Sequence, residues 1–110
     1  MTYYIAGPMT GIEGHNYPAF EKATAHLRRD GLKVLSPHEF FPPPGEDFDP
    51  VLGRIQRLRK DVSFLSNCDA ILLLPGWSES RGARMELNLA LELGMRVYYF
   101  HNNEVVYNVS

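Results

Sequence analysis

The stretch LLLPGWSESRGARMELNLALELG, from Leu72 to Gly94, contains the clearest change of pattern in the chain. It begins within a continuous apolar run, DAILLLPG, which is typical of a strand covered on both faces. The run breaks at Pro75-Gly76, and apolar residues return at helical spacing from about Gly82 to Leu93, before a closing Gly94. The stretch therefore predicts a buried strand, a loop and a helix, which is the repeating unit of a parallel sheet.

The same alternation continues on both sides of this stretch. Further strands are predicted at Thr2 to Gly7, Leu32 to Pro37 and Arg96 to Phe100, and a helix over AFEKATAHLRRDG. A second helix starts with Asp49 as its N-cap and Pro50 as its first residue. Its apolar residues form an amphipathic stripe: Val51, Ile55, Leu58, Val62 and Leu65. The last apolar segment, EVVYNV, is either a fifth strand or an ordered tail.

Strands and helices in this order predict an α/β protein, a three-layer sandwich with a small, mostly parallel sheet of Rossmann-like or flavodoxin-like type. We expect one domain over residues 1–110, since 110 residues suit a single domain. Folds of this kind bind ligands at the carboxyl ends of their strands. The loops after the first and third strands are therefore where a binding site is expected.

The composition and charge of the chain limit the kinds of molecule that it is expected to bind and the compartment in which it is expected to work. With 45% apolar and 22% charged residues, the chain resembles a soluble globular protein. A net charge of -2 argues against binding a nucleic-acid polymer. No segment has the roughly 18 apolar residues that cross a membrane, and the N-terminus does not resemble a signal peptide. The single cysteine, Cys68, allows no internal disulfide, so we expect a cytoplasmic protein.

Two loops carry candidate ligand contacts. GPMTG, from Gly7 to Gly11, has glycines that let the backbone approach an anion, although a tight turn would explain it equally well. SESRG, from Ser78 to Gly82, is either an ordinary helix cap or an anion site at a helix start. Neither is a dinucleotide or ATP-phosphate motif, so we expect no cofactor. The four histidines lack the spacing of metal ligands, and we expect no metal.

Two acids and one aromatic residue are the remaining candidates. Glu86 shares a helical face with Gly82, Ala90 and Leu93, which turns it towards the sheet. From periodicity alone, it is as consistent with an ordinary carboxylate as with a functional one. Asp61 lies near the buried boundary of the second helix and is more often an exposed or ion-paired acid in such a position. Trp77, in the loop at the same edge, stacks on a base or covers the core.

Three segments together resemble a known family: YIAGPMTG, RKDVSFLSNCDAILLLPGW and SRGARMELNLALELG. They resemble the nucleoside 2-deoxyribosyltransferase superfamily, in particular its short bacterial and phage members, which are related to the 2'-deoxynucleoside 5'-phosphate N-hydrolases. The resemblance covers about Tyr4 to Phe100. It implies that Glu86 is the nucleophile, that Asp61 is an acid that either acts near the base or orients the nucleophile, and that Tyr4 lies against the site.

The resemblance also implies substrate contacts at Gly7 and Gly11 of the first loop and at Ser80 and Gly82. Pro8 and Thr10 of the same loop, and Trp77 from its position at this edge, complete the predicted set of substrate-binding residues. Relatives that bind a monophosphate have a serine and an arginine where this chain has Pro8 and Thr10. Proline has no N–H and threonine no charge, so phosphate affinity is expected to be weaker unless Arg81, Arg84 or a second subunit supplies a cation.

The implied function is N-glycosidic cleavage of a nucleoside, a deoxynucleoside or a 5'-monophosphate through a covalent glycosyl-glutamate intermediate. Water, rather than a second base, is the expected acceptor, which makes the protein a hydrolase. The alternative is a non-catalytic module that senses nucleotides on the same fold. The partners expected are a small nucleoside or nucleotide and a second copy of the chain, because the shortened C-terminus leaves the site open.

Overall fold

In the computed structural model, which describes residues 1–9, 11–40 and 50–107, five strands form one sheet. The strands are β1 (Thr2–Ala6), β2 (Lys33–Leu35), β3 (Ala70–Leu73), β4 (Arg96–His101) and β5 (Glu104–Tyr107). Their order is β2-β1-β3-β4-β5, with the first four parallel and β5 antiparallel to β4. The predicted α/β fold with a mostly parallel sheet is confirmed, and EVVYNV contributes the fifth strand.

Three α-helices connect the parallel strands: α1 (Tyr17–Arg29), α2 (Pro50–Leu65) and α3 (Arg81–Glu92). Pro18 lies in the first turn of α1, where a missing N–H is tolerated. The second helix starts at Pro50, as its sequence predicts, while the proposed N-cap Asp49 lies outside the described residues. Among the described residues, no helix has the length and apolar character that a membrane crossing requires.

Alternation along β1 divides the core into two layers. Tyr3 and Ile5 point towards α1, where they pack with buried residues such as Phe20. Tyr4 and Ala6 point the other way, into the apolar cluster that contains α3 residues and the end of α2. Both faces of the sheet are covered, which explains why its central strands are apolar throughout.

The apolar stripe of α2 is buried only in part. Leu65 is fully buried, whereas Ile55 and Val62 are 42% and 37% exposed. The side chain of Val51 lies outside the described residues. The periodicity correctly indicates a helix, but the packing within this chain leaves Ile55 and Val62 of its stripe exposed.

Strand order determines where a ligand can enter. The chain leaves β1 for β2 on one side and reaches β3 on the other, so the connections diverge at the carboxyl ends of β1 and β3. The two ends are level, because the N–H of Leu74 donates to the carbonyl of Ala6 at 2.9 Å. The loops that follow these strands are therefore neighbours at one edge of the sheet.

Candidate functional site

A cleft of about 920 Å³ lies at this edge of the sheet. It is bounded by the loops after β1 and β3 and by one side of α2 and α3. The sequence-predicted site residues that line it are Gly7, Pro8, Gly11, Asp61, Ser80, Gly82 and Glu86. The fold therefore brings together two acids that are 25 positions apart in the chain. Thr10, which was also predicted to contact the substrate, lies outside the described residues.

Glu86 faces inward from α3 and is 7% exposed. It shares the buried face of the helix with Ala83 and Ala90. Leu93 was placed on this face from its spacing, but it is 50% exposed, because the helix ends at Glu92. The phenol of the fully buried Tyr4 donates a hydrogen bond to Oε2 of Glu86. The position of this carboxyl is thus set by its own helix and by a hydrogen bond from a strand residue.

The two carboxyls and the phenol interact electrostatically. Burial, together with the Asp61 charge, raises the pKa of Glu86 to about 8, against the opposing effect of the hydrogen bond from Tyr4. Burial also raises the pKa of Asp61 to about 7, against the opposing effects of Tyr4 and of the Arg57 charge. Burial and the two carboxylates hold the pKa of Tyr4 well above its usual value. Proton transfer at one of these groups therefore changes the charge balance at the other two.

Asp61 has an unused hydrogen-bonding atom. Its Oδ1 is buried and has no hydrogen-bond partner among the described residues. Buried polar atoms are generally paired in folded proteins, and the exceptions call for an explanation such as a ligand. Asp61 also lines the cleft, although this oxygen itself is shielded from solvent.

The start of α3 has an ordinary N-cap, and it also has residues that border the cleft. Oγ of Ser80 accepts a hydrogen bond from the N–H of Ala83 at 3.2 Å, which is a standard N-cap. A Cβ added to Gly82 would meet nothing within 4 Å, so packing does not require glycine there. Arg81 lines the cleft, whereas the guanidinium of Arg84 donates to the carbonyl of Ser78. Of the two arginines considered from sequence, Arg81 is the one that borders the cleft.

Gly7, by contrast, has a packing role. A Cβ at this position would lie 2.8 Å from Cβ of Leu74, which is closer than real Cβ contacts. Glycine therefore allows the end of β1 to pass the end of β3. Its presence in the first loop has a structural explanation that does not involve a ligand.

Trp77 does not line the cleft. It borders a smaller pocket of about 380 Å³ with Tyr99, His101 and Val106, and its ring centroid lies 6.1 Å from that of Tyr99. Its contact with a substrate stays a prediction.

Several cleft residues were not singled out from sequence. They include His15, Asn16, Phe20, Arg57 and Met85. Only the loop composition around His15 and Asn16 pointed to any of them, since these two polar residues lie between Gly14 and the first turn of α1. Among the described residues, no group of three or more potential ligands is arranged to hold a metal ion.

Residues 1–99 match the family model described as "Domain of unknown function (DUF4406)". The chain belongs to this family. No curated protein matches it in sequence.

Solved structures similar to this chain identify its fold. A 2-deoxyribosyltransferase from Bacillus psychrosaccharolyticus superposes with a TM-score of 0.71 at 23% identity, covering 99% of this chain and 78% of that one. The CMP N-glycosidase BcmB of Clostridium botulinum gives 0.58 at 17%, covering 90% and 67%. A conserved protein of Enterococcus faecalis V583 gives 0.63 at 17%, covering 90% and 62%. The resemblance to the nucleoside 2-deoxyribosyltransferase superfamily is thus confirmed at the level of the fold.

Proposed function

We propose that this protein cleaves the N-glycosidic bond of a nucleoside, a deoxynucleoside or a nucleoside 5'-monophosphate, with Glu86 as its nucleophile. The observation that carries the proposal is the buried Glu86 carboxyl, which faces the cleft while it accepts a hydrogen bond from Tyr4. Burying a carboxyl group costs free energy, so a buried carboxyl that faces a cleft favours a functional role over a structural one. The names of two structural neighbours, a deoxyribosyltransferase and a CMP N-glycosidase, support the same chemistry.

The reaction runs in two steps. In the first, Glu86 Oε attacks C1' of the sugar, the C1'–N bond breaks, and the electron pair leaves with the base, which takes a proton from Asp61. In the second, water attacks C1' of the glycosyl ester, Asp61 accepts its proton, and the C1'–O bond to Glu86 breaks. Free sugar and the original carboxylate result, as in retaining glycoside hydrolysis.

Tyr4 has a separate role in this scheme. The phenol donates a hydrogen bond to Glu86 and so favours the ionised form of that carboxyl, opposing the effect of burial on its pKa. An ionised Glu86 stabilises the positive charge that develops at C1' as the base leaves. Tyr4 therefore orients the nucleophile and makes its ionised state more accessible.

The start of α3 suits the 5' end of the substrate. Its free N–H groups, the open face of Gly82 and the neighbouring Arg81 favour an anion at this end of the cleft. Arg81 supplies a cation that the first loop lacks, since that loop has Thr10 where monophosphate-binding relatives have an arginine. We therefore infer that a 5'-monophosphate binds here in preference to an uncharged nucleoside.

Release of free base tests the proposal. The protein is incubated with deoxynucleosides, ribonucleosides and their monophosphates, with and without an added acceptor base, and the products are separated by chromatography. We expect base release in the absence of an acceptor; release that occurs only with an acceptor base would identify a transferase. No release from any substrate would refute the enzymatic function.

Substitution of the nucleophile tests the role of Glu86. Glu86→Ala and Glu86→Gln should each lower the rate by at least about three orders of magnitude, because the covalent step is lost. Glu92→Gln is the matched control, since Glu92 is exposed on the same helix. Turnover by Glu86→Ala at a rate near that of the control would show that another group is the nucleophile.

A second candidate function is nucleotide sensing without turnover. The observation that favours it is the raised pKa of Glu86, to about 8, which keeps the carboxyl protonated at neutral pH in the empty site. A protonated Glu86 donates a hydrogen bond and does not attack C1'. Calorimetric binding of a nucleotide that is recovered intact after prolonged incubation would support this function.

We also infer that the protein forms a homodimer. Ile55 and Val62 are apolar, exposed and two turns apart on the same face of α2, and Met85 on α3 is 41% exposed. A second copy would cover these side chains near the open side of the cleft. Light scattering should give twice the chain mass at micromolar concentration, and Val62→Glu should shift it towards the monomer.

A further inference from the structure

Three consecutive residues beside the cleft adopt the left-handed backbone conformation. Gly14, His15 and Asn16 have φ values of 63°, 52° and 60°. Glycine adopts this conformation freely, and His and Asn do so more often than most residues, yet each non-glycine residue there remains less stable than in a helix or strand. Two such residues in a row persist only where the surrounding structure holds them. We refer to Gly14–Asn16 as the left-handed turn.

Two hydrogen bonds hold the left-handed turn. The side-chain amide of Asn16 donates from Nδ2 to the carbonyl of Pro8 at 2.9 Å. The backbone N–H of His15 donates to the carbonyl of Ile12 at 2.9 Å. The first of these ties the turn to the loop that leaves β1. The shape of the first loop and that of the turn therefore depend on each other through Asn16.

Helix capping does not explain Asn16. It occupies the N-cap position of α1, where an asparagine side chain usually accepts a hydrogen bond from the helix and contributes about 1 kcal/mol. Here the side chain makes no such bond and reaches back to Pro8 instead. The Asn16 side chain therefore does not cap α1 but holds the first loop, which forms part of the wall of the cleft.

His15 is the side chain that this arrangement presents. It is half-buried and lines the same cleft as Asp61 and Glu86. Its ring lies 6.1 Å from the ring of Tyr17, measured between centroids. Among the described residues, neither ring nitrogen has a hydrogen-bond partner, so the imidazole has a donor and an acceptor to offer to a ligand.

We propose that the left-handed turn belongs to the substrate site, with Asn16 as a positioning residue and His15 as a substrate contact. This inference rests on the proposed function for the nature of the substrate. The His15 imidazole makes a hydrogen bond to a polar edge of that substrate, either on the base or on the 5'-phosphate. Asn16 acts through the carbonyl of Pro8 and keeps both the turn and the first loop in the binding geometry.

Substitution of Asn16 by glycine separates side-chain positioning from backbone conformation. Asn16→Gly accommodates a positive φ but lacks the amide that holds Pro8. We expect KM to rise about tenfold, with little change in kcat and in the melting temperature, because one hydrogen bond that shapes the site is lost. Wild-type kinetics in Asn16→Gly would overturn the positioning role.

The chain offers a matched control at a second left-handed asparagine. Asn102 has a φ of 50° in the turn between β4 and β5, and it does not line the cleft. Asn102→Gly makes the same chemical change in the same backbone conformation, so KM should remain at the wild-type value. An equal rise in KM in both variants would show that the effect is not specific to the site and would also overturn the proposal.

Binding of substrate fragments tests His15 without requiring turnover. Calorimetric titrations compare His15→Gly with the wild type, using free bases in one arm and 2-deoxyribose 5-phosphate in the other. An approximately tenfold weaker affinity for the bases places the contact at the base, and the same loss for the sugar phosphate places it at the 5' end. Unchanged affinity in both arms would overturn the role of His15. Because no bond is cleaved, this result is independent of whether the protein is a hydrolase.

Discussion

The two sides of the cleft are built in different ways. One side, the carboxyl wall, consists of Asp61 and Glu86 on two helices, together with the buried strand residue Tyr4, which donates a hydrogen bond to Glu86. The other side, the loop wall, consists of described residues 7–9 and 11–16. It carries four residues with positive φ and the hydrogen bond from Asn16 to the carbonyl of Pro8. Regular elements fix the groups that are proposed to react, whereas backbone conformation shapes the surface that is proposed to bind.

This difference assigns different kinetic effects to the two walls. Groups on the carboxyl wall interact through charge, so changes there should affect kcat and the dependence of the rate on pH. Groups on the loop wall determine shape and hydrogen bonding in the ground state, so changes there should affect mainly KM. Each of the following measurements tests whether this division holds.

After the loss of Glu86 itself, the largest effect is expected for Asp61→Asn on the carboxyl wall. Loss of the acid that protonates the leaving base should lower kcat by about two orders of magnitude. The pKa of Glu86 should also fall, because the Asp61 charge is the second cause of its elevation after burial. The limb of the pH profile that reports ionisation of Glu86 should therefore move to lower pH.

The pH profile of kcat/KM for Asp61→Asn is compared with those of the wild type and Glu92→Gln. In the wild type, the limbs report the carboxyl pair as a unit rather than either residue. If Asp61→Asn changed only KM and left kcat and the pH profile at their wild-type values, the proposed division between the two walls would be wrong.

A smaller effect is expected for Gly82→Ala, at the junction of α3 and the cleft. Alanine favours a helix over glycine by up to about 1 kcal/mol, and a Cβ at Gly82 meets no protein atom within 4 Å. The melting temperature should therefore stay level or rise. KM for a monophosphate should increase by about tenfold, because the new methyl group projects into open space where a phosphate would approach.

Gly7→Ala is the counterpart on the loop wall. Its Cβ would lie 2.8 Å from Cβ of Leu74, so the variant should lose about 1–3 kcal/mol of stability through overpacking. Thermal melting and steady-state kinetics on both variants would separate a glycine kept for a ligand from one kept for packing. A wild-type KM in Gly82→Ala would show that the ligand does not approach the start of α3.

The same contrast explains how much the sequence could predict. The inward orientation of Glu86 follows from helical periodicity, and the fold follows from alternating strands and helices, because both depend on local spacing. The role of Tyr4 came only from family resemblance, and the hydrogen bond of Asn16 to Pro8 depends on a loop conformation that no spacing rule specifies. The exposure of Ile55 and Val62 was missed because an apolar stripe does not identify what covers it.

The smallest expected effect is on stability rather than on rate. Because the pKa of Glu86 rises from 4.5 to about 8 on folding, the folded state holds a proton that the unfolded state loses above pH 4.5. The contribution of this group to stability is therefore fully present below pH 4.5 and decreases as pH rises through 8. Asp61 acts in the same direction, from 3.8 to about 7.

Glu86→Gln removes this titration while retaining the shape of the side chain. Its melting temperature should exceed that of the wild type by an amount that grows from pH 5 to pH 8.5 and reaches several degrees, since about 1 kcal/mol corresponds to roughly 4 °C in a domain of this size. Asn16→Gly, on the loop wall, should show a difference from the wild type that does not vary with pH. The difference in melting temperature between Glu86→Gln and the wild type could instead be constant with pH. In that case the two walls would not differ in their electrostatics. Burial of a proton-binding carboxyl would then not be the feature that distinguishes the carboxyl wall.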